Sequence, residues 1–157
     1  MSVSTDGQLC YGILLSEDAE LPWQTEEYDY DIEDWWIVKI LGFKHSFELF
    51  DEKGNWLEPR QSKKIEDKYF QEQIDFKDSH EKLPYELVNV CSGDYPMYML
   101  AITDTCISAS RGEPQKIDIY GLRGISQEED KDLLDFCKKY GIETSGESGW
   151  YLSSYWG

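Results

Sequence analysis

The residues whose side chains are best suited to binding or catalysis lie in one run near the start of the chain. Residues 25–36 read TEEYDYDIEDWW, with six carboxylates, two tyrosines and two tryptophans but no lysine or arginine. Closely spaced carboxylates either hold a calcium ion or present negative charge to a basic partner. Asp29, Asp31 and Glu33 have the spacing of a calcium loop, but the turn glycine and terminal glutamate of such a loop are missing. The run therefore predicts a charged binding surface and no metal site.

A second candidate is a nucleophilic thiol. Cys91 lies in the segment VCSGDYP at the end of an apolar run, and His80 precedes it as a candidate base. No third group that would orient the base is evident, and a buried structural cysteine has the same pattern. The chain also lacks a glycine-rich phosphate loop, a GxSxG elbow and an HExxH helix. The alternative hypothesis is a small enzyme acting on a nucleotide or protein, with Cys91 or an acidic pair at its centre.

The charge balance restricts the choice of partner. The 157 residues carry a formal net charge of -17, and no lysine or arginine precedes Lys39, although ten acidic residues do. Self-repulsion on this scale costs stability, so either solubility or a basic partner must account for it. Direct nucleic-acid binding is disfavoured, because few groups are present to neutralise phosphates. The charge favours a protein partner with a basic, nucleic-acid-binding surface.

The cysteines and the hydropathy pattern predict an intracellular protein. The N-terminus lacks the features of a signal peptide, and no apolar run approaches the ~20 residues that span a membrane. The cysteines form no CxxC pair, and with two histidines no zinc spacing emerges. All lie in or beside apolar segments, which predicts reduced, mostly buried thiols and a reducing cytoplasmic location. The four are Cys10, Cys91, Cys106 and Cys137.

These groups would be positioned by a single α+β domain over residues 1–157, a mostly antiparallel sheet covered by about three helices. Asp31 is the predicted cap of the first helix, and Ser126 with Glu129 forms a capping box for the last. Apolar alternation and compact apolar runs predict the strands, and helical spacing predicts the helices. The predicted strands are residues 9–15, 85–92, 95–103, 105–112 and 149–157, with a hairpin over 46–59; the predicted helices are 31–43, 61–79 and 125–142.

Aromatic residues concentrate near both ends of the chain. In the last strand, Tyr151 and Tyr155 alternate with a face that contains Leu152 and Trp156. Both faces cannot be fully buried at the edge of a small sheet, so we expect a tyrosine to remain exposed. Exposed tyrosine beside carboxylates is typical of protein-binding surfaces.

Four segments together resemble a known group of proteins. STDGQLCYGI, DIEDWW, ELVNVCSGDYPMYMLAI and the closing WYLSSYWG are similar to segments of small, functionally uncharacterised acidic proteins carried by bacteriophages and prophages. The resemblance implies a phage setting and a bacterial cytoplasm. By analogy with that setting, an anti-CRISPR or anti-restriction role as a DNA mimic is expected.

The sequence thus predicts a non-enzymatic, phage-encoded inhibitor that binds a basic surface of a host defence protein. No cofactor and no membrane partner are expected. A phage housekeeping protein whose acidity serves solubility is a further alternative. The predicted partner-binding residues are Glu26, Glu27, Tyr28, Asp29, Tyr30, Asp31, Glu33 and Asp34.

Overall fold

The structure is a computed structural model that describes residues 5–17, 20–25, 28–29, 31–44, 46 and 59–156. Strands and helices are both present there, which confirms the predicted α+β class. No helix in these ranges is long and apolar enough to cross a membrane. The strands are β1 (Thr5–Leu15), β2 (Gln24–Thr25), β3 (Tyr28–Asp29), β4 (Tyr85–Asn89), β5 (Tyr98–Ile102), β6 (Ile107–Ala109) and β7 (Thr144–Trp156); the helices are α1 (Ile32–Trp35), α2 (Pro59–Ser79) and α3 (Gln127–Tyr140).

The strand β1 is the centre of an antiparallel sheet. β7 pairs with one edge of β1 along nearly its whole length. The other edge is shared, because β5 pairs around Ile13 and β6 pairs around Gln8. β4 completes the described sheet by pairing with the outer edge of β5. The pairing along this edge of β1 is therefore interrupted between β5 and β6, and the cleft described below lies beside the interruption.

Gly12 explains how β1 and β5 approach each other so closely. A Cβ atom built at Gly12 would lie 2.8 Å from the Cα atom of Ala101, a distance that real Cβ atoms do not tolerate. Any side chain here would push the two central strands apart. A glycine is therefore required for close backbone approach, one of the standard reasons for glycine inside a strand.

Alternation along the strands gives the sheet two apolar faces. One face carries Cys10, Met99 and Ala101, which are all buried. The opposite face carries Tyr85 and is packed against α3, whose Phe136 ring lies 4.8 Å from the Tyr85 ring between centroids. The predicted packing of the last helix on the sheet is thus observed in the ring contact.

The sheet closes on itself at one end. Ser92, in the turn after β4, forms an isolated parallel bridge with Trp156 at the end of β7. The Trp156 amide donates a hydrogen bond to the Cys91 carbonyl at 3.0 Å. Because β4 and β7 are the outer strands, this bridge curves the sheet around the face that carries Cys10.

The helix α3 forms where its capping residues predict it. The Ser126 hydroxyl accepts from the Glu129 amide at 3.1 Å, and the Glu129 carboxylate accepts from the Ser126 amide at 2.9 Å. Gly141 ends the helix in the left-handed conformation. Leu133 is fully buried on its apolar face. Tyr11 of β1 donates to the Asp130 carboxylate at 2.8 Å, which ties the helix to the sheet.

The described residues fall into two compact units, one from Met1–Asp29 with Pro84–Gly157 and the other from Tyr30–Leu83. In the second unit α1 continues as one π-helical turn, Trp36–Ile40, and the Phe43 ring packs 4.9 Å from the Phe76 ring of α2. A single domain over residues 1–157 stays a prediction. The hairpin predicted over 46–59 lies outside the described residues except at its two ends.

The prediction of four reduced cysteines is wrong for one pair. Cys10 and Cys106 form a disulfide, with their Cα atoms 4.2 Å apart. The pairing of Leu9 with Ile107 places these cysteines directly opposite each other on antiparallel strands. Cys91 and Cys137 are free thiols, partly buried and buried respectively.

Candidate functional site

The acidic residues at the start of α1 have structural partners. Asp31 is exposed, and its carboxylate accepts a hydrogen bond from the Asp34 amide at 2.7 Å. This bond confirms the predicted cap and satisfies one of the free amides of the helix start. The negative charge also lies at the positive end of the helix dipole. Asp31 therefore stabilises the fold in addition to any role in binding.

Lys77 of α2 neutralises the next two carboxylates. Its ammonium nitrogen lies 3.1 Å from the Glu33 carboxylate and 3.3 Å from that of Asp34. Gln73 also donates a hydrogen bond to Asp34. Burial opposes the charge on Lys77, but the hydrogen bond to Glu33 and the charge of Asp34 outweigh it, so the pKa of Lys77 is raised. The ion pairs of these two acids with Lys77 therefore link α1 to α2.

The rest of the predicted acidic surface precedes α1. Tyr28 and Asp29 form β3, whose backbone pairs with β2 in a short antiparallel hairpin. Both residues belong to the first unit, whereas Asp31 belongs to the second. Glu26, Glu27 and Tyr30 lie outside the described residues. The predictions that Glu26, Glu27 and Asp29 bind a partner therefore stay predictions.

The residues of the alternative thiol site belong to different parts of the chain. His80 lies in the second unit, where its ring stacks on Phe76 at 3.8 Å and its Nδ1 lies 2.9 Å from the Phe76 carbonyl oxygen. Cys91 and Asp94 lie in the first unit. The Cys91 amide donates to the Asn89 side chain at 3.1 Å, which fixes the turn. The alternative thiol site combines residues of both units and stays a prediction.

An open cleft of about 440 Å³ lies in the first unit, beside the interruption between β5 and β6. This volume falls in the range of small-molecule sites. One side is formed by β4, and the other by β1, β6 and the end of β7. Its lining residues are Gln8, Cys10, Glu86, Leu87, Val88, Asn89, Cys106, Ile107, Ser108 and Tyr155.

The polar side chains of the cleft differ in whether they have hydrogen-bond partners. The Oε1 atom of Gln8 is buried and accepts no hydrogen bond from the described residues. Glu86 is partly buried, and burial together with the charge of Asp104 raises the pKa of its carboxyl. Asn89 differs, because its amide donates to the Ser92 carbonyl and accepts from the Cys91 amide. Gln8 and Glu86, together with the hydroxyls of Ser108 and Tyr155, are therefore the polar groups that a ligand would meet.

Sequence reasoning missed this cleft, although one signal was present. Glu86 interrupts the otherwise apolar start of β4, and Gln8 precedes the apolar part of β1. A polar residue within an apolar strand is either exposed or placed at a site. Only the strand register shows that these residues line a common cleft.

The last strand reverses the expected exposure of its aromatic residues. Tyr151 and Tyr155 are partly buried on the curved face, and Tyr151 donates a hydrogen bond to the Glu147 carbonyl. Leu152 and Trp156 on the other face are 79% and 44% exposed. The large exposed side chains of this strand are therefore Leu152 and Trp156 and not a tyrosine as predicted, because the curvature of the sheet covers the tyrosine face.

Comparisons with known proteins found no matching family model, no similar curated protein and no similar solved structure. The resemblance to phage-encoded proteins therefore stays a prediction.

Proposed function

We propose that this protein is a non-enzymatic inhibitor that binds a basic, nucleic-acid-binding surface of a host defence protein. In its specific form it is a phage-encoded DNA mimic, with anti-CRISPR or anti-restriction activity. Carboxylates stand in for phosphates and occupy the groove that would hold nucleic acid. The protein acts in the bacterial cytoplasm, where such a partner is found.

The observation that carries this proposal is the large excess of acidic over basic residues. The chain has 32 acidic residues and 15 lysine or arginine residues. Ion pairs among the described residues include the carboxylates of Glu33 and Asp34. Unpaired surface charge of one sign attracts a partner of the opposite sign and accelerates its association.

The contacts of α1 refine which acids would bind. Asp31 caps the helix and Lys77 pairs with the following two acids, so those three side chains also serve the fold. Glu26, Glu27 and Asp29 become the principal candidates for the partner surface. Tyr28 and Tyr30 are the aromatic anchors of the proposal.

The disulfide bears on the cytoplasmic location. Cytoplasmic reductants keep most thiols reduced, so Cys10 and Cys106 would be reduced there and could oxidise after purification. Quenching bacterial cells with an alkylating reagent before lysis should trap both thiols. Recovery of the intact disulfide from quenched cells would contradict the cytoplasmic location without contradicting the partner proposal.

The partner proposal is tested by capture followed by competition. The tagged protein is incubated with bacterial extract at low salt, and retained proteins are identified by mass spectrometry. The purified partner is then loaded with labelled double-stranded DNA, and the protein is titrated in. We expect displacement of the DNA, because both ligands would occupy one basic surface.

A matched control separates a binding surface from bulk charge. Glu66, Asp67 and Asp78 are exposed acids on α2, and converting them to Gln, Asn and Asn changes the net charge by the same amount as a triple change in the opening run. This control variant should displace DNA like the parent. Simultaneous binding of DNA and protein to the partner would contradict the mimic proposal.

A further inference from the structure

We propose that the cleft between β4 and β6 binds an organic cation, an alkylguanidinium or alkylammonium group, through Glu86 and Gln8. This proposal does not depend on the proposed partner, since it concerns a different set of residues. A partner could bind the acidic run whether or not the cleft is occupied.

The first step of the argument is charge. Glu86 is a partly buried carboxylate, and no lysine, arginine or histidine occurs among the described residues that line the cleft. Asp104 adds a second negative charge nearby. A carboxylate that is partly removed from water and has no counter-ion is less stable than a solvated one, and a bound cation relieves that cost. Burial already raises the pKa of Glu86, which reflects the same unfavourable environment.

The second step is hydrogen bonding. The buried Oε1 atom of Gln8 accepts no hydrogen bond within the described structure. Buried polar atoms are normally satisfied, so this oxygen marks a place where a ligand's donor would be stabilised. A cleft that offers a carboxylate and an amide oxygen as acceptors favours a cationic ligand with several hydrogen-bond donors.

The third step is shape and polarity. Val88 and Ile107 provide apolar walls beside the acceptors. The cleft of about 440 Å³ accommodates a short aliphatic stem with a terminal charged group. A guanidinium presents several N–H donors in one plane and binds a carboxylate through two of them, whereas an ammonium binds as a point charge. Both kinds of ligand fit the chemistry, and a free small molecule and a protein side chain both offer it.

The test uses a pair of probes that differ in charge. Nα-acetyl-arginine amide and Nα-acetyl-citrulline amide have nearly the same shape, but only the first is cationic. Each is titrated into 15N-labelled protein, and amide shifts are followed by NMR. We expect saturable shifts at residues lining the cleft for the arginine probe and none for the citrulline probe. Equal binding of the two probes, or no saturable shift with either, would overturn the proposal.

Single-residue variants test whether the probe binds at Glu86 and Gln8. Glu86→Gln removes the charge with little change in shape, and we expect it to weaken arginine-probe binding by about tenfold, near 1.4 kcal/mol. Glu113→Gln removes one exposed charge from a residue that does not line the cleft and should leave binding unchanged. Gln8→Met removes the second acceptor and should also weaken binding. Equal effects of Glu86→Gln and Glu113→Gln would show a nonspecific charge effect and refute the site.

Agmatine distinguishes the two sources of the cation. It carries the same guanidinium on an alkyl stem but has no peptide groups. Tighter binding of agmatine than of the blocked arginine supports a free small molecule, and tighter binding of the blocked arginine supports a side chain of a bound protein. Both results support a cation site, provided that Glu86→Gln weakens the binding.

Discussion

The Cys10–Cys106 disulfide gives the largest single stability prediction. Its two cysteines are separated by 96 positions in the sequence, so the bond closes a long loop. A cross-link stabilises chiefly by restricting the unfolded chain, and a loop of about 100 residues gives an upper bound of ~4.7 kcal/mol. Reduction should therefore lower the free energy of unfolding by about 2–5 kcal/mol. This is a large share of the free energy of unfolding of an ordinary protein, which is ~5–15 kcal/mol.

Urea denaturation followed by tryptophan fluorescence measures the effect, with and without a reductant. The comparison is made within each variant, because Cys10 is 1% exposed and its replacement also leaves a cavity. In the parent, the reductant should lower the midpoint. In the Cys10→Ala/Cys106→Ala variant it should have no effect. Cys91→Ser removes a thiol outside the disulfide and should respond like the parent.

Three results would refute this reasoning. If thiol titration of the unreduced, denatured protein counts four free thiols, the disulfide is not formed. If full reduction leaves the free energy of unfolding unchanged, the bond forms but does not stabilise the fold. A reductant effect that persists in the double alanine variant would assign the stabilisation to another group.

Three further predictions concern single side chains. Ser126→Ala should lower the free energy of unfolding by ~1 kcal/mol, because the Glu129 amide loses its cap; an unchanged denaturation midpoint would exclude a stabilising cap. Glu86→Gln should be more stable than the parent at neutral pH and equal to it in acid. The raised folded-state pKa of Glu86 contributes stability that is complete below its ordinary value of 4.5 and is lost as pH rises through the folded-state pKa, so denaturation at several pH values tests the sign. Burial raises the pKa of the Cys137 thiol to about 11, so it should be alkylated far more slowly than Cys91 in the native protein; equal rates by mass spectrometry would contradict its burial.

Local signals predicted much of the secondary structure. The Ser126–Glu129 box and the Asp31 cap are encoded within a few residues, and each forms as predicted. The strands Tyr85–Asn89 and Tyr98–Ile102 were also correctly placed, because compact apolar runs and a turn separate them. Such features depend on nearby residues alone.

Long-range features could not be derived in the same way. Lys77 reaches Glu33 across 44 positions, and no local pattern pairs them. The disulfide and the cleft both depend on the register of β1 against β6. A slip of one residue would turn the side chains of a strand to the opposite face of the sheet. Two acids that looked like free binding charges therefore have a structural partner, and Gln8 was not recognised as a site residue.

The central claim is that the acidic run before α1 binds a basic partner, and the rate of association tests it most directly. Glu26→Gln, Glu27→Gln and Asp29→Asn together remove three charges from the acidic run, and the α2 variant at Glu66, Asp67 and Asp78 is the control. Exposed charges are screened with a Debye length of ~10 Å at 0.1 M salt, so binding should weaken as salt rises. Stopped-flow measurement with the captured partner should show association slowed by about tenfold in the first variant and much less in the control. Equal association rates for the parent and the first variant at physiological salt would contradict the claim and assign the acidic run to solubility.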